Sequence, residues 1–241
     1  MSIHRYTYAD SKAAAEACAR HILGDLEEAL SGESAATLAI SGGTSPRLMF
    51  QEMSRQRFEW ERVHIFWVDE RAVPPLDSQS NYKMAQECLL TPARVPARNV
   101  HRIRAELRPE VAAARYEQEI RDHFGLAAGD EPHFDVMHRG MGPDAHTASL
   151  FPGEPLIDDR EGLAGAVYAE KMTQWRITLL PRVLLAAKKT VMLVTGADKA
   201  QALRDVVYEP YDPKRLPAQI TAHHGRSVVW FLDQAAAGLM D

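Results

Sequence analysis

Apolar residues along this chain follow two rhythms. Short, nearly unbroken runs recur: TLAI at 37–40, VHIFWV at 63–68, FDVM at 134–137, VMLVT at 191–195 and SVVWFL at 227–232. Runs of that length, rich in β-branched and aromatic residues and bounded by turn residues, predict strands buried on both faces. Between them, apolar positions recur at three- and four-residue steps, the spacing of one helical face. Ala15, Cys18, Ile22, Leu26 and Ala29 share such a face. So do Ala113, Tyr116, Ile120 and Phe124, with Pro109 suited to the first turn of their helix. SNYKMAQECLL at 80–90 and the stretch carrying Ala200, Leu203 and Val207 predict further helices, and Ala235 to Ala237 open a terminal one. PYDPKRLPAQ at 210–219 reads as a surface connection. Strands alternating with helices in this order predict an α/β fold, with a mostly parallel central sheet covered by helices on both faces. No repeat, low-complexity tract or linker divides the pattern, so one domain is expected over 1–241.

Composition agrees with a globular protein and narrows its partners. Of 241 residues, 46% are apolar and 25% charged, and the formal charge of -5 argues against nucleic acid as a partner. Cys18 and Cys88 are too few for a disulfide framework or a four-cysteine metal site, so both are expected as reduced, structural thiols. No apolar run approaches the roughly 20 residues that span a bilayer, so no membrane partner is expected and the cytoplasm is the simplest placement.

The candidate chemistry lies where predicted strands end, which is where open α/β sheets bind ligands. SGGTSPR supplies Gly42 and Gly43 for close backbone approach, the hydroxyls of Thr44 and Ser45, and the charge of Arg47, ahead of a helix N-terminus that favours an anion. It is neither a P-loop nor a dinucleotide fingerprint. In DER, Arg71 offers a guanidinium to a phosphate while the acids orient neighbouring donors; a surface ion pair is the plain alternative. GMGPDAHTASLFPG holds Asp144 and His146, a pair suited to activating water if the loop is tight. The same residues also read as a turn, with Thr147 and Ser149 capping a helix and Leu150 and Phe151 in the core. Lys171 and Arg176 add two cations beyond a predicted strand. His223 and His224 are adjacent, but there is no H-E-x-x-H and no compact His/Cys/Asp cluster, so no metal is expected.

Taken in order, SGGTSPR, FWVDERAVP, SNYKMAQECLL, FDVMHRGMGPDAHTASLFPG, RITLLP, LVTGADKAQAL, LPAQI and WFLDQAAA resemble the 6-phosphogluconolactonase family over nearly the whole chain. The resemblance implies a modified Rossmann-like three-layer fold related to sugar-phosphate isomerases and deaminases, without a cofactor. It implies hydrolysis of 6-phospho-D-glucono-1,5-lactone, a small sugar-phosphate lactone, by a monomer or homodimer. It maps the catalytic histidine to His146, its acid to Asp144, and substrate or phosphate contacts to Gly42, Gly43, Thr44, Ser45, Arg47, Arg71, Lys171 and Arg176. Three features depart from the family pattern. Ala145 stands where glycine usually precedes the histidine, so the loop either avoids a left-handed backbone there or is shifted. His138 and Arg139 replace residues that are commonly apolar, and their place, exposed or in the pocket, is open. MTQW replaces a more proline-rich lead into RIT. A deaminase or isomerase of amino sugar phosphates is the nearest alternative, although that group follows its histidine with Asn-Glu-Pro rather than TASLFPG. A phosphosugar-binding sensor without chemistry is the other.

Overall fold

The computed structural model describes residues 3–240. Its strands are β1 (His4–Tyr8), β2 (Ala36–Ile40), β3 (Val63–Trp67), β4 (Asp69–Arg71), β5 (Val100–His101), β6 (Val136–Arg139), β7 (Ala164–Ala169), β8 (Gln174–Leu179), β9 (Lys189–Val194) and β10 (Val228–Asp233). The helices are α1 (Ser11–Gly32), α2 (Thr44–Arg55), α3 (Asn81–Ala85), α4 (Pro109–Phe124), α5 (Pro181–Ala186), α6 (Ala200–Tyr208) and α7 (Gln219–His224). Seven strands form one sheet in the order β1-β10-β9-β6-β2-β3-β5. Every pairing in it is parallel, giving the expected Rossmann-like α/β arrangement.

The apolar runs are explained by position. All five residues of β2 are buried, because β2 lies between β3 and β6 and is covered on both faces. From β2 the chain builds outward through β3 and β5, then returns to β6 on the other side and continues through β9 and β10. The order therefore reverses between β2 and β6, and a crevice opens beyond their carboxyl ends.

The helices follow their caps. Asp10 accepts the Ala13 N–H at 2.8 Å to start α1, whose Ala14, Ala15, Cys18, Ile22 and Leu26 face the core. Pro109 occupies the first turn of α4, and Gly125, at φ 62°, ends it in a left-handed cap. Tyr116 clamps α4 to the end of β3: its hydroxyl donates to the Trp67 carbonyl at 2.7 Å and accepts the Trp67 N–H at 2.8 Å. Cys18 and Cys88 are both free and buried.

A second, antiparallel sheet in the order β4-β8-β7 turns DER from the expected loop into a strand and places Arg176 within one. The chain passes from the large sheet to the small one through the single residue Val68. Its N–H donates to the Ile40 carbonyl at 2.8 Å, and its carbonyl accepts the Leu179 N–H at 2.8 Å.

Two predicted helices differ in form. Residues 80–90 begin as α3 but continue as a wide π-helical turn over Gln86–Leu90. The terminal helix stops at one turn. Asp233 caps it by accepting the Ala236 N–H at 2.7 Å, and the Ala237 N–H reaches the Asp233 carbonyl at 3.0 Å. Gly238, a poor helix former, follows, and residues 234–239 remain turns. Among the described residues, no helix is long and apolar enough to cross a membrane.

Candidate active site

The crevice at the strand reversal is a pocket of about 510 Å³. It gathers the loops after β2, β6 and β9 together with β4, β8 and the start of α3. Gly42, Gly43, Thr44 and Ser45 form one wall. Ser45 ties this wall to the loop after β9 through a 2.5 Å hydrogen bond between its hydroxyl and that of Thr195. Gly42 cannot carry a side chain: a Cβ there would meet Asn81 Oδ1 at 1.8 Å. The Asn81 amide donates instead to the Asp69 carbonyl at 2.9 Å.

His146 stands on the loop after β6. Its Nδ1 is 2.5 Å from Asp144 Oδ1, and its ring packs on Phe151 with centroids 4.8 Å apart. Partial burial pushes the Asp144 carboxyl up, but the hydrogen bond and charge of His146 outweigh it and hold the acid at about 2. The imidazole lies over Gly142, where any Cβ would be 2.1 Å from the ring. The Gly142 N–H donates to the His146 carbonyl at 2.9 Å, and the Ala145 N–H donates to the Gly142 carbonyl at 3.0 Å, closing a tight turn. Ala145 adopts φ 64° within this turn and is fully buried. The loop therefore does use the left-handed backbone, and an alanine bears its cost of roughly 1–2 kcal/mol. Lys171 does not line the pocket; it is largely exposed, with Nζ 3.7 Å from Asp144 Oδ2.

Across the pocket, Arg71 and Arg176 are direct cross-strand partners on β4 and β8. Their protein contacts are sparse. Arg71 Nη1 donates to the Gln79 carbonyl at 2.5 Å, Arg176 Nη2 lies 3.0 Å from Met172 Sδ, and neither Nε has a protein partner. Burial and then the Arg71 charge pull the Arg176 guanidinium down, against the opposing pull of Asp69 and Glu70. Two like charges held side by side repel, so an anion bound between them is favoured.

Glu70, between Asp69 and Arg71, is buried and holds this arrangement. Its carboxylate accepts the N–H groups of Arg71 at 2.8 Å, Asn81 at 2.8 Å and Tyr82 at 2.7 Å, tying β4 to the start of α3. Burial pushes its carboxyl up while those bonds pull it down. Asp69 accepts the Ser149 hydroxyl at 2.7 Å and so joins β4 to the histidine loop.

Arg47 does not line the pocket. It follows Ser45 by two positions on α2 and so leaves from another side of the helix, with Nη1 3.5 Å from Cys88 Sγ. His138 and Arg139 are neither exposed nor in the pocket: both are fully buried in β6. His138 Nδ1 accepts a long 3.5 Å contact from the Ser41 N–H, and burial, with the Arg139 charge, pulls its imidazole down to about 3. Burial likewise brings the Arg139 guanidinium to about 9. Asp69, Asn81 and Asp233 line the pocket although sequence pattern alone did not mark them as ligand contacts, and Thr195 and Lys199, from the polar stretch TGADK after β9, line it too. Although dispersed in the sequence, His64, His101 and His123 are also brought together by the fold, outside this pocket.

The profile of a family described as glucosamine-6-phosphate isomerases/6-phosphogluconolactonase matches residues 9–230. A 6-phosphogluconolactonase from a Nostoc species is 36% identical over 216 residues, 89% of each chain. One from Haemophilus influenzae is 36% identical over 208 residues, covering 84% of this chain and 87% of its own. The crystal structure of a 6-phosphogluconolactonase from Thermotoga maritima superposes with a TM-score of 0.83 at 27% identity, covering 96% of this chain and all of that one.

Proposed function

We propose a reaction from one premise: the chain belongs to the family of glucosamine-6-phosphate isomerases and 6-phosphogluconolactonases, and its activity is that of the lactonases, a hydrolysis. The substrate is 6-phospho-D-glucono-1,5-lactone and the product 6-phosphogluconate, the second step of the oxidative pentose phosphate pathway. The observation that carries this reading is the sharing of one pocket by a carboxylate-held histidine and a pair of under-partnered arginines.

With Nδ1–H donated to Asp144, the His146 Nε2 carries the lone pair and acts as general base. It takes a proton from water as the oxygen attacks the C1 carbonyl. The tetrahedral intermediate collapses by breaking the bond between C1 and the ring oxygen, and the imidazolium returns its proton to that oxygen. Asp144 keeps the imidazole in the right tautomer and stabilises its charged form. Arg71 and Arg176 hold the phosphate, so binding energy at the far end of the substrate fixes the carbonyl near the base. Gly42, Gly43, Thr44 and Ser45 contribute polar contacts along the substrate. Lys171 stands beside Asp144.

The test is a short-time assay on freshly generated lactone, with spontaneous opening subtracted. Enzyme-dependent acid release is expected. Ammonia release from glucosamine 6-phosphate without lactone hydrolysis overturns the reading, as does tight phosphosugar binding with no turnover.

A further inference from the structure

A second cluster of reactive side chains lies far from this chemistry, toward the amino-terminal ends of the strands. His64 is the second residue of β3 and shares a sheet face with Phe66, since side chains alternate along a strand. Phe66 is the register partner of His101 on β5, which puts His64 and His101 side by side. His123 reaches them from the last turn of α4. One ring nitrogen from each lies within 4.8 Å of the other two. The Phe66 ring stacks on His101 at 4.2 Å and 5°, giving the cluster an apolar floor.

The protons of this cluster are ordered. Glu119, one turn before His123 on α4, places Oε1 3.0 Å from His101 Nδ1. A carboxylate there keeps the proton on Nδ1 and leaves the lone pair on Nε2. That Nε2 faces His64 Nδ1 at 2.9 Å. Three imidazoles converging on one point, with one of them backed by a carboxylate, match the donor set and outer support of histidine-bound metal sites.

We propose that His64, His101 and His123 bind a divalent transition-metal ion of the zinc class, with Glu119 orienting His101 and water completing the coordination. Tetrahedral sites with bonds of about 2.0–2.1 Å need ring nitrogens roughly 3.3 Å apart, a contraction within reach of side-chain rotation. When the ion enters, the proton on His64 Nδ1 moves to Nε2 of the same ring, which frees Nδ1 to coordinate. Shallow clefts of about 560 and 650 Å³ flank the cluster and give the ion a path. Arg102, which follows β5, is paired with Glu106 through bidentate bonds of 2.8 Å. Glu119 and Asp122 stand on α4 among the remaining arginines of that cleft. Bound metal ties the two-residue edge strand β5 and the end of α4 to β3. It is a structural clip, separate from the catalytic pocket.

The test is titration of chelator-stripped full chain with Zn²⁺, and with Co²⁺ as a coloured substitute. One equivalent should bind, with the visible absorption of a tetrahedral Co²⁺ site and a rise in melting temperature. His64→Ala and His123→Ala should each abolish stoichiometric binding, and Glu119→Gln should weaken it about 10- to 100-fold. His146→Ala should leave it intact. In the unaltered protein, Zn²⁺ should shift the imidazole NMR signals of His64, His101 and His123 and leave those of His146, His223 and His224 in place; this readout holds even if a variant fails to fold. No binding, binding that survives His64→Ala and His123→Ala, or shifts confined to histidines other than His64, His101 and His123 would each overturn the proposal.

Discussion

The two edges of the large sheet treat their polar groups in opposite ways. At the amino-terminal edge, charges are matched. Asp135 accepts the Thr37 N–H at 2.8 Å, the Thr37 hydroxyl at 2.9 Å and the Lys188 ammonium at 2.7 Å. Lys189 bridges Asp25 at 2.8 Å and Glu28 at 2.6 Å. Beyond the carboxyl-terminal edge, two guanidinium groups stand side by side on the small sheet, and in the loop after β6 Ala145 and Ala148 hold left-handed backbones at φ 64° and 53°. These amino-terminal ion pairs satisfy one another and contribute stability. The carboxyl-terminal side keeps repulsion and strain in place, which is the expected condition of a site whose missing partner is the substrate.

The largest test of this contrast is His146→Ala. It should lower kcat by about 10²- to 10⁴-fold with little change in KM or melting temperature; normal turnover in the folded variant removes His146 from the mechanism. Arg71→Met should come next, lowering kcat/KM about 10- to 100-fold, mostly through KM. Because it relieves the repulsion with Arg176, its melting temperature should hold or rise. A clear fall would mean that the arginine pair is a structural asset and that the contrast between the edges is false. Asp135→Ala should do the reverse, costing about 1–3 kcal/mol in urea denaturation while steady-state kinetics stay unchanged. The smallest effect is expected from Ala145→Gly. Relief of the left-handed alanine, roughly 1–2 kcal/mol, is opposed by loss of a buried methyl, about 0.8 kcal/mol, and by a more flexible unfolded chain, about 0.4–1 kcal/mol. A net change beyond about 1 kcal/mol in either direction would show that the turn is held by something other than these terms.

How much was legible in the sequence depended on how local the cause was. The central strands could be read because burial on both faces forces apolar runs, as in ATLAI of β2. β1, HRYTY, escaped because an edge strand is half exposed and its polar residues break the pattern. The hairpin of β7 and β8 escaped for a related reason: Arg176 and Thr178 are buried within β8 and make it look like a loop with cations. The histidine loop could be read from its glycines, and Gly142 proves to be where the ring needs room. The arginine pair could not, since only the antiparallel register of β4 with β8 makes Arg71 and Arg176 neighbours. Nor could the bond from Ser149 to Asp69, which joins residues 80 positions apart. Arg47 shows the converse. It is adjacent in sequence to the glycine wall, yet helical geometry carries it away.

Val68 gives this division of labour a mechanical side. The proposed base rides on the large sheet and the proposed phosphate anchor on the small one, and between β3 and β4 the chain allows only this one residue, hydrogen-bonded to both sheets. The two sheets thus act as the jaws of a caliper with a stiff, short hinge. The opening is set before any substrate arrives, so molecular length becomes a criterion of selection alongside charge. A phosphorylated lactone one carbon shorter should engage one jaw at a time. Its turnover should fall even though it carries the same phosphate and the same reactive carbonyl; equal kcat/KM for the two lengths would mean that the jaws can close.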